Sequence, residues 1–232
     1  YERNFDPGVA VTMYMKAAKI ARELGDETQL IQALIGIAES RRALETFVEA
    51  DAAYAEAEEH VRAAGETHTL ADLLYWHASV LNSAGDADRA LELWREEEGL
   101  RRELGQDADL GDSLLAQAMV HRLRREHDKL PPLYDEAEAA YRRADALRGV
   151  ADVLHWRSMA ARRTGDSAPA RAFAEEVLDI VTRIQYPELD IQARGIRAMT
   201  LADAGEFAAA NEDLDRADES CHPLGLDNLA VW

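Results

Sequence analysis

The 232 residues carry a formal net charge of −19 and a single cysteine, Cys221. Such a charge repels duplex nucleic acid and anionic membrane surfaces, so neither is expected as a partner; the lone thiol excludes an internal disulfide and suits the cytoplasm. Six prolines, no run of β-branched residues and an abundance of Ala, Leu, Glu and Arg favour helix over strand.

Residues 1–4 read as the last turn of one helix, and Asp6-Pro7 as the start of its partner. From there a shift of 40 residues aligns the chain with itself without a gap, giving a partial unit 1–25 and full units 26–65, 66–105, 106–145, 146–185 and 186–225. One column stays small (Ala38, Ala78, Ala118, Ser158, Ala198), another reads Leu34, Leu74, Leu114, Leu154, and a bulky one reads Tyr14, Tyr54, Trp94, Tyr134. In the second unit Leu74, Ala78 and Leu81 make one helical face, Gly85-Asp86 breaks it, and Ala90 and Trp94 open a second face that closes at Gly105. Small residues let two antiparallel helices approach, and the bulky column fills the space beside them. In the third full unit Pro131 and Pro132 fall where a second helix is due, so that helix is expected to start late, near residue 131. Residues 226–232 read as the opening of a further helix. Neither end shows the polar face of a capping repeat, and the chain is expected to be part of a longer protein.

This pattern of Leu74, Ala78, Leu81, Gly85, Ala90 and Trp94 resembles the tetratricopeptide repeat family, in the long form found in kinesin light chains and in the sensor domains of large bacterial transcriptional activators. The resemblance implies an all-α, right-handed superhelical solenoid of antiparallel helix pairs. It also implies a single domain whose first helices line a groove and whose second helices form the outer wall. Groove positions are then Asp72, Tyr75, Trp76, Ser79 and Asn82 in the second unit and Asp112, Leu115, Met119 and Arg122 in the third. The fourth gives Asp152, His155, Trp156, Met159 and Arg162; the first and fifth give Gln32, Ile35, Glu39, Arg42 and Gln192, Ile196, Met199.

Arginines there would hold carboxylates, methionines adapt to varied side chains, and tryptophans anchor apolar groups. A second reading stands beside it: Trp76 and Trp156 pack between neighbouring first helices, while the aspartates and arginines sit where the helix dipole favours each sign. Glu56, Glu58, Glu59, Glu96, Glu97, Glu98, Glu136 and Glu138 all fall on second helices and are expected to form a solvated outer face, with the arginines turned toward the groove. The basic island at residues 121–129 reads as a helix end. His121 and His127 are poorly spaced for a shared metal, His77 and Ser79 point apart, and no phosphate loop or cofactor motif occurs. Cys221 shares a packing column with Val61, Tyr141 and Val181.

The expectation is a non-catalytic module without cofactor that binds a protein or peptide, or a small effector. Resemblance places it as a scaffold or sensor segment of a larger bacterial regulatory protein. The alternative is a self-association module forming a homo-oligomer.

Overall fold

The structure is a computed structural model and describes residues 6–221, with the side chain of Cys221 left aside. The readings of residues 1–4, residues 226–232 and the Cys221 side chain lie outside what it describes. Among the described residues there are eleven α-helices and no strand: α1 (Pro7–Leu24), α2 (Glu27–Ala43), α3 (Phe47–Ala64), α4 (Thr67–Ser83), α5 (Ala87–Leu104), α6 (Asp107–Leu123), α7 (Leu130–Arg143), α8 (Leu147–Thr164), α9 (Ser167–Ile184), α10 (Pro187–Asp203) and α11 (Phe207–Cys221). The first helices of the pairs begin at residues 27, 67, 107, 147 and 187, a strict 40-residue repeat. A 3-10 turn at His127–Lys129 precedes α7, whose first turn holds Pro131 and Pro132, so the late start is found.

The first ten helices end in the same way. Residues 25, 45, 65, 85, 105, 125, 145, 165, 185 and 205 all adopt positive φ, six of them glycine and four not. The next amide turns back to a carbonyl five residues earlier, as Asp26 does to Ala21 and Asp86 to Leu81, both at 2.9 Å. This is the left-handed closure that satisfies the last carbonyls of a helix. Asp26 and Asp86 then accept from the backbone amides of Gln29 and Arg89, at 3.0 and 3.3 Å, and so start the following helix.

The chain divides into two compact units between Gln106 and Asp107. In the first, Leu34, Leu74, Tyr54, Ala57 and Val61 are buried in one core. Trp94, on α5, is 2% exposed, as its place in the bulky column predicts. In the second, Leu114, Leu154, Tyr134 and Tyr141 share a core with Val177 and Val181. Tyr141 explains two glycines inside helices there. Its ring lies against Gly111 of α6 and Gly149 of α8; a Cβ at Gly111 would come within 2.6 Å of it, and one at Gly149 closer still. The Tyr141 hydroxyl donates to Asp112 at 2.6 Å.

The acidic face departs from expectation. Glu97 is fully buried, accepting from Arg101 at 2.6 Å, and the Glu58, Glu98 and Glu138 side chains are only 16–18% exposed. The arginines are not segregated from these acids either. Arg22, Arg62 and Arg142 stand on second helices and bind Glu56, Glu96 and Glu176 of the next second helix along. A wall of glutamates alone would repel itself, and an arginine one turn beyond each group neutralises it within and between helices.

Candidate functional site

In the first unit the expected residues gather around Trp76. It is 40% exposed, and Tyr75 meets it edge-on at 5.1 Å. Arg42, in the last turn of α2, lays its guanidinium over the indole face at 4.6 Å. The stack joins two neighbouring first helices, so the exposed ring and the packing reading both describe part of it. Ser79 is committed to its own helix, donating to the Tyr75 carbonyl at 3.0 Å, and Asn82 is half-buried. Asp72 accepts from Arg101 at 2.8 Å. Beneath the stack the Tyr54 hydroxyl is pushed up to about 12, mainly by burial and then by Glu39, with Arg42 opposing both.

His77 has a part that its sequence context did not reveal. It is 2% exposed, stacks on Tyr54 at 5.6 Å, and sets Nε2 at 2.7 Å from Asp51 and Nδ1 at 3.3 Å from Glu58, both on α3. That hydrogen bond holds the Glu58 carboxyl below its usual range, against burial, with help from Arg62. Forty-residue steps from His77 lead to Gln117, Arg157 and Arg197, of which Arg157 binds Glu138 and Arg197 binds Asp213. The polar column between two apolar ones was the available signal. It marks a buried polar link from a first helix to a neighbouring second helix rather than a catalytic histidine.

In the second unit Arg122 repeats the stack, its guanidinium 4.4 Å from the Trp156 ring centroid. Here the surroundings close into a pocket of about 390 Å³ walled by α6, α7 and α8. Arg122, Arg125, His127 and Arg163 supply its polar side; Leu130, Trp156 and Met159 supply the apolar side, and Tyr134 lies at its base. Met159 is 43% exposed. The basic island at residues 121–129 thus does more than end a helix, since it gives three of these residues.

Other expected residues stand apart from the pocket. Arg162 approaches Asp203 at 3.9 Å, Met119 packs half-buried on the core, and Asp112 holds Tyr141. Asp152 is half-buried and its carboxyl is pushed up to about 6 by burial, which outweighs the pull of Arg148, with a smaller push from Asp112. His155 corrects its expectation as an open groove residue. It is 6% exposed, meets Trp156 edge-on at 5.3 Å, and burial lowers it to about 4. Among the described residues no group of three or more His, Cys, Asp and Glu is placed to hold a metal, and no helix is long and apolar enough to cross a membrane.

No protein-family model matches the sequence, and no curated protein matches it significantly. Solved structures do match. BtubC (BKLC) from P. vanneervenii superposes with a TM-score of 0.78 at 19% identity, covering 96% of this chain and 93% of that one. A signal transduction ATPase with numerous domains and a tetratricopeptide repeat sensor, from Pyrococcus horikoshii, gives 0.71 at 16% identity, with 96% of this chain matched to 38% of that one. The apo quorum sensor NprR from B. thuringiensis gives 0.68 at 13% identity, covering 95% and 64%. The fold is therefore that of tetratricopeptide-like helical repeats, as the sequence pattern implied.

Proposed function

We propose that this chain is a non-catalytic binding module for an anionic protein or peptide ligand, held at the Arg122–Trp156 pocket of the second unit. One observation carries the reading. In a chain of net charge −19, three arginines and a tryptophan line a single pocket that no carboxylate lines. Guanidinium groups bind planar anions in a fork, and the exposed Met159 and the indole accept an apolar neighbour of that anion. The tetratricopeptide sensor of the ATPase and the quorum sensor NprR support a sensor role on the same fold. By this reading the chain serves as the sensor or scaffold segment of a larger regulatory protein in the cytoplasm. Trp76 with Arg42 offers a second, shallower platform of the same construction.

Labelled acidic, neutral and basic hexapeptides test this by fluorescence polarisation. Acidic members should bind, and Arg122→Gln combined with Arg163→Gln should abolish binding. Equal binding of all three classes, or of none, sinks the reading.

A specific surface favours self-association as the second reading. On α1, Val9, Met13, Met15, Ile20 and Leu24 are each more than half exposed. Light scattering on the intact chain and on Met13→Glu with Ile20→Glu decides: a dimer lost in the variant supports it, and a monomer throughout removes it.

A further inference from the structure

The pocket between α6, α7 and α8 holds more positive charge than one carboxylate uses. Arg122, Arg125 and Arg163 all line it without an acid among them. Guanidiniums gathered around one small volume repel each other, and a divalent anion relieves that repulsion better than a monovalent one. The uncharged groups point the same way. An Arg163 N–H donates to Nε2 of His127, which leaves the imidazole proton on Nδ1. That Nδ1 is buried and has no partner among the described residues. The same holds for Arg122 Nε and for the hydroxyl of Tyr134, a residue 3% exposed. Burial raises the Tyr134 hydroxyl, and the charges of Arg122 and Arg163 oppose it. Buried polar groups are almost always satisfied, so three unmet donors on residues that line one pocket point to a ligand that completes them. It is an acceptor with several oxygens.

We infer that this pocket is a phosphate-monoester subsite. The terminal oxygens accept from Arg122 Nε, His127 Nδ1 and the Tyr134 hydroxyl; Arg125 and Arg163 balance the charge, and the organic group lies along Trp156 and Met159. A carboxylate has two oxygens and one charge, whereas a phosphate monoester has three terminal oxygens and close to two charges at neutral pH. The volume of about 390 Å³ suits a single phosphorylated group with its immediate substituent. Such a group comes from a phosphorylated side chain of a peptide or from a small phosphorylated molecule. The inference rests on the anion-binding reading above and narrows it to one chemistry.

Calorimetric titration with phenyl phosphate, benzoate, inorganic phosphate and a matched pair of peptides carrying phosphotyrosine or glutamate tests it. Phenyl phosphate should bind at least about tenfold tighter than benzoate, and Arg125→Gln and Arg163→Gln, both at exposed positions, should each weaken it about tenfold or more. Tyr134→Phe should weaken it with the circular dichroism and melting curve unchanged. If the phosphotyrosine peptide binds tighter than phenyl phosphate, the source is a modified peptide; if it binds no tighter, the source is a small molecule. Benzoate binding as tightly as phenyl phosphate overturns the inference, as does phenyl phosphate binding that survives Arg125→Gln combined with Arg163→Gln. Acidic unphosphorylated peptides that bind through Arg122 while phenyl phosphate does not would overturn it too, leaving the peptide reading intact. Phenyl phosphate binding with no peptide binding does the reverse.

Discussion

Arg122 lies across the face of Trp156 at 4.4 Å, and Arg42 lies across Trp76 at 4.6 Å, each residue standing 80 positions from its counterpart. In each pair the arginine ends one first helix and the tryptophan sits on the next, so the stack fastens adjacent repeats. Both guanidiniums keep a buried Nε without a partner among the described residues, and each stands near a buried tyrosine, Tyr54 and Tyr134. A cation–π contact of this kind contributes about 0.5–2 kcal/mol, depending on how far it is desolvated. Trp76→Ala should accordingly lower stability by about 1 kcal/mol in a urea titration. A loss of several kcal/mol would place Trp76 in the core instead.

Trp94 sets the contrast. It is 2% exposed, on a second helix, and its truncation to Ala should cost about 3–5 kcal/mol. The Trp94→Ala variant should melt far below the Trp76→Ala variant; equal melting temperatures would mean that burial does not separate the two rings.

The repeat was legible because it is written in close contacts. Ala38, Ala78, Ala118 and Ser158 sit where helices touch, and only small residues fit there, so the column survives whatever else varies. Trp94 followed from the same logic. Glu97 was misjudged as solvated: it stands 40 residues from the buried Ala57 and Ala137, so helix phase turns it inward, where it accepts from Arg101. His155 occupies the column of Tyr75 yet is buried, because neighbouring side chains cover it to a different depth. The pocket was half legible. Arg122, Trp156 and Met159 were named, but His127, Tyr134 and Arg163 come from separate helix ends and a 3-10 turn, whose convergence is a tertiary fact.

The helix ends give a stability prediction. Glu45, Arg125, Asp145 and Gln185 hold φ between 53 and 60° at the position where the other turns use glycine. A residue with a Cβ pays roughly 1–2 kcal/mol in this region, partly offset by the greater freedom that glycine loses on folding. Glu45→Gly and Gln185→Gly should each stabilise the fold by about 0.5–1 kcal/mol, measured by urea titration. Destabilisation by either would show that its side chain makes a contact worth more than the strain.

Gly149 tests the close approach of Tyr141. Alanine is the better helix former by about 1 kcal/mol, so an open site would gain stability from Gly149→Ala. Here the added methyl meets the Tyr141 ring, held on its other side by Gly111. The variant should lose about 1–3 kcal/mol, and Tyr141→Leu should recover part of that loss in a double-mutant cycle. Simple additivity would remove the ring as the cause.

The buried His155 and the half-buried Asp152 of the second unit should make stability depend on pH in opposite directions. Burial holds His155 at about 4, below its ordinary 6.5, so the folded state resists a proton that the unfolded chain accepts. Its contribution is complete above pH 6.5 and is lost as pH falls toward 4, a change of at most about 3 kcal/mol. Asp152 runs the other way. Burial raises it to about 6 from 3.8, so the folded state favours the protonated acid; that contribution is complete below pH 3.8 and is lost as pH rises through 6. Urea titrations between pH 4 and 7 separate the two. His155→Leu should flatten the acid side, leaving a smaller loss than the parent shows between pH 6.5 and 4. Asp152→Asn should raise stability at pH 7 and lose that advantage by pH 4. If the Asn variant is no more stable at pH 7, Arg148 already compensates the buried carboxylate, and the Asp112–Asp152 repulsion is not felt.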